Sequence, residues 1–410
     1  MFLARLALCV ALLSSCAQTS GAQPDPPQVV LISIDGFRWD YLDRPEAARL
    51  RELASRGVRA ERLIPVFPTK TFATHYSIVT GLHPEEHGIL ANNIWDDKIG
   101  KRFTLSDRAV QEDPRWWGGE PIWVTAERQG QRAASYFWPG SDVEIQGVRP
   151  TWYRVYNNST PNDRRVRTVL GWLARDPAEA PTMVTLYFSD VDNAGHRFGP
   201  DAPETNAAIA HVDSLIGMLV DGITQRGIAH RVNLIIVSDH GMASTSRDRQ
   251  IALDNYINMD RVRVVDWSPV LALTPDADYL DEAYRRLKGV HPNLQVYRKG
   301  DVPARLRYNN HPRITPIIGL ADEGWSITTR ARLRTASPEQ LDGATHGWDP
   351  ELVSMGALFV AQGPAFAEGR VVPPVHAINL YELMAHILGL QAAPNSGSLD
   401  AVRGVLRSKP

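Results

Sequence analysis

Four short apolar runs constrain this chain more than any other feature: 29–34 (VVLISI), 183–188 (MVTLYF), 233–237 (NLIIV) and 357–360 (ALFV). Each is rich in β-branched residues and lacks the polar alternation of a half-exposed strand. Each therefore reads as a strand of a parallel sheet, buried on both faces. Helical patterns lie between them, over 45–56, 162–175 and 203–226. Strands alternating with helices in this way predict an α/β fold, a doubly wound, mostly parallel sheet sandwiched by helices. Residues 255–335 break the pattern. There RVRVVDW and PVLALTP precede a helical stretch at 281–288, followed by LQVYR and a run near 314–328. This order predicts a small α+β insertion with antiparallel strands. No long linker isolates it, so 28–410 reads as one domain carrying the insertion.

The N-terminus reads as an address. Arg5 and the short run LALCVALL form a signal sequence, and Leu13-Ser14-Ser15-Cys16 resembles a bacterial lipobox. Residues 1–16 are then a lipoprotein-type signal and 17–27 a tether. The expected location is the periplasm of a Gram-negative bacterium, with an outer-membrane anchor at Cys16. The alternative is an ordinary secretory signal cleaved after Ser20-Gly21-Ala22. Cys9 and Cys16 are the two cysteines of the chain, and neither supports a disulfide framework. A formal net charge of −2 leaves no basic excess to displace counterions from a phosphate backbone. A nucleic-acid-coating role is thereby excluded. The length, 410 residues, suffices for a self-supporting core, so a monomer is expected.

Chemistry gathers at the strand ends. The first run ends in Asp35-Gly36, the second leads to Asp190 and Asp192, and the third leads to Asp239-His240-Gly241. Open α/β sheets place their sites at the carboxyl ends of strands. Acidic ends from three distant segments imply an anionic crevice, which is costly unless cations neutralise it. Asp35 alone would more often be a turn residue, but the Asp239-His240 pair suits zinc. Asp192 and His196 are spaced i, i+4, which puts both on one helix face; His346 can complete a three-ligand set. Over 68–81 the signals are Pro68 before a helix, Thr69 or Thr71 as N-cap and Gly81 as C-cap. A hydroxyl at a helix N-terminus meets free backbone donors suited to a phosphate oxygen.

These segments carry a resemblance. LISIDGFRWDYL (31–42), PTKTF and VTGLHPEEHGIL (68–90), GEPIWVTAE (119–127), FWPGSDVE (137–144), FSDVDNAGHRFGP (188–200), VSDHGM (237–242) and THGWDP (345–350) resemble the nucleotide pyrophosphatase/phosphodiesterase family of the alkaline phosphatase superfamily. The resemblance implies two zinc ions per chain. One would be held by Asp192, His196 and His346. The other would be held by Asp35, Asp239 and His240, with Thr71 as both ligand and nucleophile. It implies hydrolysis of nucleotide phosphodiester or pyrophosphate bonds to nucleoside monophosphates through a phospho-threonine. It also implies that Phe72 and Tyr156 sandwich a nucleobase, with Trp138, Pro139 and Tyr187 nearby.

One departure stands out. The family's usual residue three places after the nucleophile is asparagine, read as the amide that donates to a phosphate oxygen. This chain has Thr74 there, whose hydroxyl offers one proton. Thr74 is therefore a candidate oxyanion donor; the alternatives are slower catalysis, another donor in its place, or a different preferred leaving group. Two other readings stand beside the nucleotide one: a lipid or choline-headgroup phosphodiesterase on the same scaffold, and a noncatalytic zinc-binding surface protein. The last would require loss of a ligand or of the nucleophile, and all seven residues are present.

Overall fold

The structure is a computed structural model that describes residues 25–337 and 341–408. The expected signal and lipid anchor lie outside the described residues. So does the tether, up to residue 24; its last residue types, 25–27, are exposed, and Asp25 pairs with Arg231 at 3.1 Å.

The elements that build the frame, in chain order, are β1 (Gln28–Ile34), α1 (Ala48–Arg56), β2 (Val58–Ala60), α2 (Thr71–Thr80), α3 (Ile122–Arg128), β3 (Ala133–Tyr136), β4 (Trp152–Arg154), α4 (Asn162–Leu173), β5 (Met183–Phe188), α5 (Asp190–Phe198), α6 (Pro203–Gln225) and β6 (Val232–Val237). They continue with β7 (Val262–Asp266), β8 (Val270–Pro275), α7 (Leu280–Leu287), β9 (Leu294–Arg298), β10 (Ile317–Ala321), α8 (Arg330–Thr335), β11 (Phe359–Gln362), β12 (Arg370–Val372) and α9 (Leu380–Leu388). Among the described residues the main sheet has eight strands in the order β12-β2-β11-β6-β1-β5-β3-β4.

The apolar runs at 29–34, 183–188 and 233–237 form three adjacent central strands, paired in parallel. Along β1 the side chains alternate between two cores. Val29 and Leu31 join the cluster under α2, α3 and α9, and Val30, Ile32 and Ile34 join the one under α1, α4 and α6. Helices on both faces bury the sheet completely, which is why these strands carry no polar alternation. The helix α6 is long and apolar enough to cross a membrane by composition alone. Its buried residues Ile209, Val212, Ile216 and Leu219 instead pack in that second core.

The fourth run needs a correction. The strand there is β11, at 359–362, and it runs antiparallel to both β6 and β2. Burial on both faces produces the same continuous apolar string whichever way a strand runs, so composition could not give its direction. The insertion holds a separate four-stranded antiparallel sheet, β7-β8-β10-β9. Its own core includes Leu271, Leu273, Ala283, Leu287 and Ile317.

Candidate active site

The parallel register brings three strand ends together, with Ile34 opposite Phe188 and Ser33 opposite Val237. The residues just beyond are thereby forced into one crevice. Asp35 donates its amide to Phe188 at 2.9 Å, and the Gly36 amide reaches Asp239 Oδ1 at 3.2 Å. Gly36 has a φ of +68°, and a Cβ there would lie 2.8 Å from the Asp192 backbone. Only glycine allows this turn with α5 so close. Asp190, the other acid after β5, turns away and is held by Asn162 at 2.9 Å.

Asp35, Asp239 and His240 are buried, and their ligand atoms lie within 4.8 Å of one another. A second group, Asp192, His240 and His346, meets the same limit. His240 thus stands between the two clusters, and His196 adjoins the second, its Nε2 3.3 Å from Asp192 Oδ1. The rings of His240 and His346 stack at 3.4 Å between centroids.

Hydrogen bonding sets the direction of each histidine. The Nδ1 atoms of His196, His240 and His346 lie 2.8, 2.9 and 2.7 Å from the carbonyl oxygens of Ala344, Gly241 and Thr69. A carbonyl can only accept, so each Nδ1 carries a proton and each Nε2 is the nitrogen turned to the crevice, ready to offer a lone pair once unprotonated. Three carboxylate oxygens in the same place, Asp35 Oδ1, Asp192 Oδ1 and Asp239 Oδ2, are buried with no hydrogen-bond partner. Buried carboxylate oxygens without hydrogen-bond partners beside three inward Nε2 atoms are a donor set that fits a divalent cation.

The electrostatics agree. Burial, followed by the charge of Asp192, pushes Asp239 up to about 8. Burial and the charges of Asp239 and Asp192 raise Asp35 well above the carboxylate range. Burial opposes charge on His196 too, but Asp192 outweighs it and raises the imidazole to about 9. Burial lowers His240, and it lowers His346 strongly.

Thr71 opens α2, with its Oγ1 3.5 Å from His240 Nε2. The expected cap needs correction: the N-cap is Lys70, whose side chain makes no capping bond. Thr69 is unavailable because its hydroxyl donates to the Trp348 carbonyl and accepts from the Gly347 amide at 2.8 Å. Thr71 is one residue too late and presents its hydroxyl to the cluster. Gly81 ends the helix in the left-handed conformation, as its position suggested.

Thr74 also needs correction. It is fully buried inside α2, and its hydroxyl has neither solvent access nor a partner. A donor to a substrate oxygen must open on the crevice, and three residues along the helix from Thr71 this one points into protein. Sequence reasoning missed Asn92, whose Oδ1 accepts the Phe72 amide at 3.0 Å. The oxygen is engaged by the residue that follows Thr71, which leaves the Nδ2 protons as the donors this side chain can offer. Its only sequence signal was a short amide in the loop after the Gly-Ile-Leu of 88–90. Also missed was His75, buried between Thr71 O and Ser33 Oγ at 2.8 Å each. Its i, i+4 spacing from Thr71 was the available signal.

Beside Thr71 lies a cavity of about 240 Å³ lined by Asp35, Phe72, Trp138, Pro139, Tyr156, Tyr187 and Asp192, among others. All five expected base-contact residues are in this wall. Phe103 and Trp117 back Phe72 at 5.7 and 6.1 Å between centroids, and Tyr156 is 45% exposed. Trp138 is almost wholly buried, its indole N–H donating to the His75 carbonyl at 3.1 Å. It is a rear wall and offers no free face. The Tyr187 hydroxyl donates to Asp35 Oδ2 at 2.5 Å. Of the tryptophans read as core, Trp123 is buried and Trp152 partly so.

Comparison with known proteins follows the same lines. The sequence pattern of the type I phosphodiesterase / nucleotide pyrophosphatase family matches residues 29–349. The chain is 39% identical to human ectonucleotide pyrophosphatase/phosphodiesterase family member 5, over 96% of this chain and 81% of that one. It is 39% identical to human bis(5'-adenosyl)-triphosphatase, over 93% of this chain and 82% of the relative. The solved structure of murine family member 5, an inactive variant in complex with AMP, superposes with a TM-score of 0.88 at 36% identity, covering 93% of this chain and all of that one. On the matched segment and these relatives, the chain belongs to the type I phosphodiesterase / nucleotide pyrophosphatase family, hydrolases with an alkaline phosphatase-like α/β fold.

Proposed function

We propose that this protein is a two-zinc nucleotide phosphodiesterase/pyrophosphatase that releases nucleoside monophosphates through a covalent adduct on Thr71. The observation that carries this reading is the place of Thr71 Oγ1, 3.5 Å from the histidine shared by both ligand clusters and on the wall of the aromatic cavity. Asp35, Asp239, His240 and Thr71 would hold one ion, and Asp192, His196 and His346 the other. When bound, the pair supplies Lewis-acid stabilisation of the attacking and departing oxygens.

The remaining work falls to the chain itself. Thr71 lies at the first helical position, where its own amide has no intrahelical acceptor and the dipole favours an anion. That amide and Asn92 Nδ2 are the donors for a nonbridging phosphate oxygen. Phe72 and Tyr156 take the base between them, and buried Trp138 closes the cavity behind it. Tyr187, through Asp35, ties the base wall to the ligand cluster. The hydroxyl oxygen of Thr71 attacks phosphorus, the bond to the leaving oxygen breaks, and water then releases the nucleoside monophosphate from Thr71.

The relatives' printed names, ectonucleotide enzymes and a bis(5'-adenosyl)-triphosphatase, and AMP in the murine structure support nucleotide substrates. They also support export, with a lipid anchor at Cys16 and a monomeric enzyme as parts of this proposal. The test is a substrate panel with zinc-loaded protein. Nucleotide para-nitrophenyl esters and diadenosine triphosphate should be cleaved to nucleoside monophosphate. Faster cleavage of para-nitrophenyl phosphorylcholine would favour the lipid-headgroup alternative instead.

A further inference from the structure

A second and larger cavity, of about 680 Å³, opens on the other side of the ligand clusters, and the reading above gives it no role. The helix α5 divides the two spaces. Asp192 and Asn193 line the base cavity, and His196 and Arg197, one turn later, line the larger one. The larger cavity reaches between the main domain and the insertion, where Trp267 contributes from the loop between β7 and β8 and Arg332 from α8.

Its lining differs in kind from that of the base cavity. Its described lining contains Arg197 and Arg332 and hydroxyl residues such as Thr329 and Thr345, with no aspartate or glutamate among the described residues. The base cavity has three aspartates, Asp35, Asp142 and Asp192. In a chain whose net charge is −2, two guanidiniums without a carboxylate among the cavity's described residues make a local field that favours anions. Neighbouring arginines are neutralised: Arg330 pairs with Asp254 and Arg247 with Asp342. Arg197 and Arg332 have no carboxylate partner among the described residues, and Arg197 lies over the ring of Phe198. Trp267 is partly exposed, with one side against the core of the insertion and the other on the cavity.

Position completes the argument. Thr71 attacks from the Asp35, Asp239 and His240 side, so the departing oxygen lies toward Asp192, His196 and His346. The larger cavity begins on that side, at His196, and has room for the group attached to that oxygen. We infer that this cavity is a leaving-group subsite in which Arg197 and Arg332 pair with the phosphates of a nucleoside polyphosphate leaving group and Trp267 stacks on its base. The inference rests on the proposed function. For a dinucleoside triphosphate, the Thr71 oxygen forms the new bond to the end phosphorus and the bridging P–O bond breaks. The bridging oxygen keeps the electron pair and leaves on nucleoside diphosphate; water then cleaves the Thr71 adduct to nucleoside monophosphate. Arginine suits the chain of phosphates because its fork pairs in two places at once.

The experiment compares kcat/KM for three substrates in the zinc-loaded enzyme: diadenosine triphosphate, ATP and the para-nitrophenyl ester of thymidine monophosphate. In Arg332→Ala and Arg332→Glu, the ratios of diadenosine triphosphate and of ATP to the ester should fall at least tenfold, and further in the charge reversal. In Trp267→Ala the ratio of diadenosine triphosphate to ATP should fall at least fivefold, because the leaving group of ATP is pyrophosphate, which carries no base. Unchanged ratios in the Arg332 variants would overturn the subsite. A fall in the ATP ratio with no effect of Trp267→Ala would overturn the second-base assignment. Wild-type protein that fails to cleave the nitrophenyl ester would overturn the proposed function itself, so the two failures are distinguishable.

Discussion

His346 Nδ1 sits 2.7 Å from the carbonyl oxygen of Thr69, joining a metal-ligand candidate to the segment that leads into the nucleophile. The contact is doubled, because the Thr69 hydroxyl accepts the Gly347 amide at 2.8 Å. Two loops far apart in sequence are thereby tied together.

Thr69→Val should expose this coupling. It leaves a buried Gly347 amide unpaired, at a cost of about 1–3 kcal/mol in stability. Losing support for a ligating histidine should also weaken retention of one metal ion about tenfold or more. Thr69→Ser, which keeps the hydroxyl, should restore both. Chelator competition and thermal unfolding would measure the two effects, and equal zinc retention in Thr69→Val and wild type would contradict the coupling.

Metal binding should release protons. In the metal-free protein Asp239 is raised to about 8 and His196 to about 9, and Asp35 is raised well above its usual value. Asp239 and His196 therefore hold protons near neutral pH, whereas ligands must be unprotonated. Zinc affinity should therefore climb as pH rises from mildly acid toward 9, with at least one proton released per chain near neutrality. Calorimetry in buffers of different ionisation enthalpy would count them; a release of zero would contradict the charge states described.

Asn92 and Thr74 should behave oppositely. Asn92→Ala should lower kcat about a hundredfold or more, the usual effect of losing one preorganised donor. Thr74→Val removes a buried hydroxyl that already lacks a partner, so turnover should stay within a factor of three or so. Steady-state rates on a nucleotide ester decide it. A large loss in Thr74→Val with a small one in Asn92→Ala would restore Thr74 as the donor.

Much of this site was legible in the sequence because its parts have local signatures. A strand ending in Asp-Gly, an acid and a histidine at i, i+4, and an Asp-His pair after a strand are short-range patterns. The parallel sheet then brings them together, since three central strands end at one level. What escaped depends on three-dimensional context. The direction of β11 left no trace in its composition, because burial on both faces hides it. The role of Asn92 depends on a contact with Phe72 across a loop, and the burial of Thr74 depends on how α2 is rotated against the sheet. The larger cavity beyond His196 draws on α5, the insertion and α8, whose charges look unremarked when read along the chain.

The covalent step on Thr71 is the centre of the account. Zinc-loaded protein should be mixed with a nucleotide para-nitrophenyl ester, quenched in acid within the first turnover and digested for mass spectrometry. The account predicts a nucleotidyl group on the peptide carrying Thr71, with a matching burst of nitrophenol. Thr71→Ala should show neither adduct nor burst while keeping its fold and its zinc, since six other ligands remain. Turnover by Thr71→Ala near the wild-type rate, or a burst with no adduct at Thr71, would contradict it.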